Sequence, residues 1–184
     1  MRWRNSPVHY GSVSIGLHWF MLLVLAAVYA TMELRGIFPK GSDSREAMKV
    51  WHYMLGVSVL VLALVRLVAH FSGPVPRIEP QPTGWQRLAA AGMHVALYAL
   101  MIGMPLLGWI LLSAEGKPVP LFGMELPALV AKNDQLGKLT KEVHETLGNI
   151  GYFLIGAHAA AALFHHYITR DNTLRRMLPH PAQR

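Results

Sequence analysis

Two histidines fourteen residues apart, His144 and His158, frame the chemistry that this chain can perform. On an α-helix that spacing is about 21 Å of rise and about 1400° of rotation, within about 40° of whole turns. Both imidazoles therefore face the same way, one near each side of a hydrocarbon core about 30 Å thick. The stretch that carries them, Val143–Tyr167, is long and apolar enough to span a bilayer, with a single acid, Glu145. An ionisable side chain inside a membrane span is costly and marks function unless shown otherwise. Two on one face, so far apart, point to two stacked cofactors, and each needs a second ligand from elsewhere in the chain.

The elements that must supply those ligands are three further apolar segments. They cover about 14–32, 50–71 and 85–113, and with 143–168 they make four spans. The chain has 184 residues, 53% hydrophobic and 15% charged. Soluble domains carry about 25% charged residues, so the composition also describes a membrane protein. The length suits one domain of four spans, not two domains. The expected fold is all-α, a transmembrane four-helix bundle.

The connectors separate cleanly. Residues 33–50 are polar, with Gly36, Pro39 and Gly41, and Ser44 is the expected cap of the second helix. Residues 72–83 hold four prolines and should form a stiff, extended link. Residues 114–142 form the longest loop, in which Glu125–Lys132 is expected to make a short interfacial helix. Pro105 should kink the third span or cost it a hydrogen bond. Residues 169–184 read as a basic tail.

The chain has no cysteine, which excludes disulfides, thiolate metal sites, iron–sulfur clusters and c-type haem attachment. Its ten histidines are the available ligands. His144-Glu145 begins like a zinc-protease motif, but position 148 is Gly, so the second ligand is missing. No phosphate-binding or dinucleotide-binding glycine loop is present. The net charge of +7 suits membrane orientation, anionic lipid or an anionic substrate, not nucleic acid.

Because consecutive spans run in opposite directions, position along a span gives depth. His18 is early in the first span and His158 late in the fourth, so both lie toward the side of the termini. His52 is early in the second span and His144 early in the fourth, so both lie toward the other side. Each pair can hold one six-coordinate haem iron by two imidazoles, an arrangement suited to electron transfer and closed to oxygen chemistry at iron. His94, early in the third span, is the competitor for the His18–His158 site; a contact with a propionate or a pocket wall is its other role. Gly148 and Gly151 lie between the two histidines of the fourth span, where a flat macrocycle can come close to the backbone. His165 returns to nearly the same face as His158 seven residues on, and His166 reads as solvated at the interface. His9, His70 and His180 read as surface groups. Trp19 reads as an interfacial anchor.

Lysine and arginine counts lean only weakly toward termini on the cytoplasmic side, but the two residue types divide sharply. All six lysines fall on the far side, and nine of eleven arginines on the side of the termini.

The runs IGLHW, YATMELRGIFP and HETLGNIGYFLIGAHAAAALFHHYITRDNTLRRMLP resemble the bacterial cytochrome b561 family, small four-helix dihaem proteins of the inner membrane, and most of all its superoxide-oxidising members. The proline connector and HVALYALMIGMPLLGW match more loosely. The likeness runs over nearly the whole chain. It implies two haem b groups, with His18, His52, His144 and His158 on the family's ligand positions, the set that the depth argument also selects. It implies a reaction in which superoxide gives up its electron on the periplasmic side and ubiquinone is reduced. The alternative is an electron-transfer anchor subunit for a dehydrogenase or a periplasmic cytochrome. On the superoxide reading, Lys117, Lys132, Lys138 and Lys141 would draw the anion toward the outer site. Trp85, His94, His165 and Arg77 would border a quinone pocket on the inner side.

Overall fold

A computed structural model describes residues 3–179. Four long helices dominate it: α1 (Ser12–Leu34), α2 (Asp43–Phe71), α3 (Gly84–Ala114) and α4 (Asp134–Phe164). All four are long and apolar enough to cross a membrane, and α4 is the least apolar of them. Large apolar side chains such as Leu23, Val68, Trp85, Leu88 and Phe153 stand on the outside of the bundle. A soluble monomer rarely exposes so much apolar surface, whereas lipid covers it without cost. His180 lies outside the described residues.

Two helices begin well before their apolar spans. α2 starts at Asp43, with Ser42 as its cap in place of the expected Ser44; the Ser42 side chain accepts from the Arg45 backbone N–H. α4 starts at Asp134, nine residues before its apolar span, with Asn133 accepting from the N–H groups of Gln135 and Leu136. Both caps satisfy orphan N–H groups and place an acidic residue in the first turn, where the helix dipole favours it. With 31 residues, α4 is about 46 Å long, so its first turns stand beyond a core of about 30 Å. α3 runs through Pro105 as continuous helix.

The α3–α4 connector corrects one expectation. Glu125–Lys132 is not a helix; its first residues belong to a two-stranded hairpin, β1 (Val119–Leu121) with β2 (Met124–Leu126). The turn residues Phe122 and Gly123 both have positive φ, 45° and 88°, the conformation that a tight two-residue hairpin requires. Pro127 then cannot continue the strand as a donor. The hairpin seals the end of the bundle opposite the termini: Val119 packs with Val57 of α2 and Leu112 of α3.

Helix packing is uneven. α1 packs on α2, α2 on α3 and α3 on α4, whereas the backbone of α4 meets those of α1 and α2 at most glancingly. The apolar core belongs to the first three helices, built on Met21 and Val24, Val59 and Ala63, and Met101. The buried residues of α4 are only Gly137, Thr140 and Gly151. The wall of α4 that faces α1 and α2 is therefore not closed by apolar side chains, and it is the wall that carries the histidines.

The ends of the chain are tied to the inner connector. The Asn5 side chain accepts from Gly11 N–H and Ser14 hydroxyl, and the Arg77 backbone N–H donates to Pro7. Asn172 exchanges hydrogen bonds with the backbone of Glu79. Buried Arg176 donates to the Pro76 carbonyl and lies 5.6 Å over the Tyr10 ring, and Trp19 Nε1 donates to the Met177 carbonyl. Through residue 179 the expected basic tail is thus a folded strap.

Candidate functional site

The histidines of α4 meet partners from two other helices at two depths. His18 of α1 faces His158 with ring centroids 6.3 Å apart, and His52 of α2 faces His144 at 6.2 Å. A metal–imidazole bond of about 2 Å added to about 1.1 Å from nitrogen to ring centre places two trans imidazoles about 6.3 Å apart. Both pairs match the spacing that one metal ion between two rings demands. His94 of α3 comes closer to His158, at 5.8 Å, so the inner cluster holds three histidines where the outer holds two.

The second shell supports the same reading. His52 Nδ1 lies 3.1 Å from the Val28 carbonyl, which can only accept. The proton is therefore on Nδ1, and Nε2 presents its lone pair, the orientation typical of a metal-bound histidine. Among the described residues nothing hydrogen-bonds the buried His18 Nδ1. An orphaned buried imidazole nitrogen is costly, and a group that the chain itself does not supply would relieve it. His144 is held in its place by a gap: a Cβ on Gly108 would meet His144 Cε1 at 3.3 Å. Gly56 and Gly103 have open space where a Cβ would stand. The donor set, two neutral nitrogen ligands at each depth, suits haem iron, and the residues fit such a group at both depths.

Gly148 and Gly151, the expected places of close approach, stand beside Tyr29 of α1. A Cβ on Gly151 would stand 2.1 Å from the Tyr29 hydroxyl, and that hydroxyl donates to the Gly148 carbonyl at 3.0 Å. They admit a tyrosine from α1, which bridges the gap between the two histidine pairs. Tyr29 also packs on Tyr152, whose hydroxyl donates to Glu33 at 2.7 Å. No sequence signal announced this pairing, since tyrosine at a helix face is most often simple packing.

The remaining site residues are scattered. His165 opens a π-turn (His165–Thr169) and bonds Asp171 at 2.5 Å through Nδ1. α4 stays regular through Phe164, so His165 keeps the seven-residue spacing from His158, and the wider turn begins only at His165. Asp171 is buried; burial raises its carboxyl, but hydrogen bonds from His165 and Thr173 prevail and hold it below the usual range. His166 is less solvated than expected, for its Nδ1 is buried. Arg77 lines a cavity of about 190 Å³ with Pro7, Val8, Glu79 and Asn172. Trp85 is 71% exposed at the start of α3. His9 and His70 are exposed, as expected.

On the outer side, Lys117 pairs with Glu115 at 2.7 Å and Lys141 lies 4.0 Å from Glu145. Lys117 and Lys132 share a cleft of about 580 Å³ beside the hairpin. Of the four lysines, Lys132 and Lys138 are in no ion pair among the described residues.

Comparison with known proteins is decisive at this point. The model of the prokaryotic cytochrome b561 family matches residues 9–180. The chain belongs to that family. It is 47% identical to cytochrome b561 homolog 1 of Escherichia coli over 92% of this chain and 97% of that protein. It is 36% identical to "Probable superoxide oxidase CybB" of Yersinia pestis, over 92% and 96%. It is 30% identical to cytochrome b562 of Cereibacter sphaeroides, over 92% and 94%. This cytochrome is therefore a multi-pass bacterial membrane protein of an electron-transfer family, and the family implies b-type haem.

Proposed function

We propose that this cytochrome holds two haem b groups, the inner between His18 and His158 and the outer between His52 and His144, and oxidises superoxide at the outer face of the inner membrane to reduce ubiquinone at the inner. The observation that carries the reading is the pair of trans-ligand spacings, 6.3 Å and 6.2 Å, at opposite ends of one helix. The name of the Yersinia relative supports superoxide as donor. In the net reaction two superoxide anions yield two dioxygen molecules and two electrons, and ubiquinone takes those electrons with two protons to become the quinol. Both termini then lie in the cytoplasm.

Haem b supplies reversible one-electron chemistry at each depth. The chain's own residues set where and with what access. Val28 fixes the His52 tautomer, and Gly108 leaves room for the His144 ring. With haem held at these sites, two imidazoles each would leave no open position at iron, so dioxygen formed from the donor would find no seat there. The hairpin packs the outer end, and Lys132 and Lys138 add positive potential beside it, which favours approach of a small anion. On the inner side His94, His165, Arg77 and Trp85 are the candidates for quinone contacts.

A redox-titrated visible spectrum of the purified protein, followed by rapid mixing with superoxide, tests the proposal. The expected result is two b-type centres, both reduced by superoxide faster than in a control containing superoxide dismutase. One centre or none would end the dihaem assignment. Reduction at the control rate, with a soluble protein co-purifying in equal amount, would replace superoxide by a protein donor.

A further inference from the structure

Arg66 of α2 stands largely covered at the depth of the inner histidines. Its charge acts on His18, His94 and His158 together. Its own neighbours are phenols, Tyr98 and Tyr10. No carboxylate is among the groups acting on Arg66 or on these three histidines, and Arg66 is in none of the ion pairs among the described residues. The nearest contrast is Arg176, outside the spans, which has Asp171 within electrostatic reach. A cation at membrane depth without a counter-ion is costly, and such cations pair where they persist. The inner cluster thus carries one positive charge more than its own residues balance, beside a site whose two imidazoles are neutral ligands.

We propose that Arg66 binds a propionate carboxylate of the inner haem and thereby raises the reduction potential of that centre above the value its ligands alone would give. The inference rests on the haem assignment above. The planar guanidinium fork matches a carboxylate in two parallel hydrogen bonds, which fixes the group as well as neutralising it. A positive charge held there disfavours the ferric form, which has one positive charge more, so it makes the inner centre the better electron acceptor of the two. The outer pair is balanced differently: the arginine that acts on His52 is Arg35, at the end of α1 and beyond the span predicted there, and a carboxylate, Glu145, acts on His144.

The test is a redox titration of the full-length protein and of Arg66→Gln and Arg66→Lys, with haem content measured first. Two haems in the unaltered protein establish the assignment on which the inference depends; fewer would refute that assignment, and this inference with it. Arg66→Gln should keep both haems and shift the inner reduction equilibrium about tenfold toward ferric, which is about 59 mV for one electron, with the outer unmoved. An unshifted inner midpoint would overturn the pairing while leaving the haem assignment intact. Infrared difference spectra with haem carrying 13C-labelled propionates should show carboxylate bands that shift in Arg66→Gln. Propionate bands that Arg66→Gln leaves unmoved would assign Arg66 to another anion, such as a lipid phosphate, and overturn the proposal. Should Arg66→Gln empty the inner site, Arg66→Lys decides: restored occupancy shows that charge is required, and continued loss makes the role one of shape.

Discussion

The two ends of α4 carry the same pair of ligand types, yet their surroundings differ. At the outer end the imidazoles are set by backbone and by space: a carbonyl from α1 orients His52, and Gly108 of α3 admits His144. At the inner end they are surrounded by charge and by a third histidine, with His18 Nδ1 unbonded among the described residues and Arg66 close by. Each site keeps one buried Nδ1 without a partner among the described residues, that of His18 at one end and that of His144 at the other, so the third histidine and Arg66 are what set the two ends apart. On the proposed assignment, two sites with the same pair of ligand types would differ through their surroundings and not through a ligand.

The largest expected effects come from removing ligands, because they separate the two ends completely. His18→Ala and His158→Ala should each abolish the inner haem and leave the outer, taking about half of the Soret absorbance. His52→Ala and His144→Ala should do the reverse. His94→Ala should leave both. The comparison breaks if His94→Ala empties a site that His18→Ala spares, for then the ring at 5.8 Å is the ligand. Haem content and low-temperature spectra of the five variants decide it.

A smaller effect is expected from the outer lysines. Replacing both Lys132 and Lys138 by Glu should slow reduction by superoxide roughly tenfold at low ionic strength, with the loss shrinking as salt is added. The same change at Lys117 and Lys141 should do less, since each already stands near a carboxylate. Equal effects from the two pairs would show that the anion responds to net charge alone and that no part of the outer face is privileged.

The strap that closes the inner end should respond to acid. The Asp171 carboxyl lies below its ordinary value, so the stability it contributes is present above the unfolded carboxylate range and is lost as pH falls through its folded value. Loss of tryptophan fluorescence contrast near Trp19, which bonds the strap at Met177, should therefore begin only below about pH 4. Asp171→Asn should remove that transition. The strap spans only one end, so the outer site should keep its spectrum throughout.

How much of this was legible in the sequence follows from what each feature depends on. Four spans and the depth of each histidine need only hydropathy and the regular rise of a helix, and the two close ring pairs agree with that reading. The hairpin was hidden because Glu125–Lys132 is rich in helix formers, and positive φ at Phe122 and Gly123 outweighed that local preference. The π-turn that begins at His165, and the bond of His165 to Asp171, have no sequence signature. Arg66 was visible only as an arginine near a helix end; its lack of an acidic neighbour is a fact of three dimensions. Gly148 and Gly151 read as places of close approach, to a macrocycle or to a packed helix, because a helix cannot say which visitor fills its groove; at Gly151 the structure places Tyr29.

That visitor allows the finest test of the two-ended comparison. Tyr29 sits between the sites, with its hydroxyl on the Gly148 carbonyl and its ring in the notch of Gly151. Tyr29→Phe removes one hydrogen bond and keeps the ring, so it should cost about 1 kcal/mol of stability and leave both haem spectra unchanged. Gly151→Ala places a methyl group where the hydroxyl stands, and overpacking of this kind costs about 1–3 kcal/mol. The double variant should recover part of that cost, because the atom displaced by the methyl group is then absent. If thermal unfolding shows the double variant no better than Gly151→Ala alone, the clash lies elsewhere, with Leu100, whose Cδ2 would be 3.2 Å from the added Cβ. Recovery without a change in either haem would identify Tyr29 as the brace that lets the inner and outer sites differ while sharing one helix.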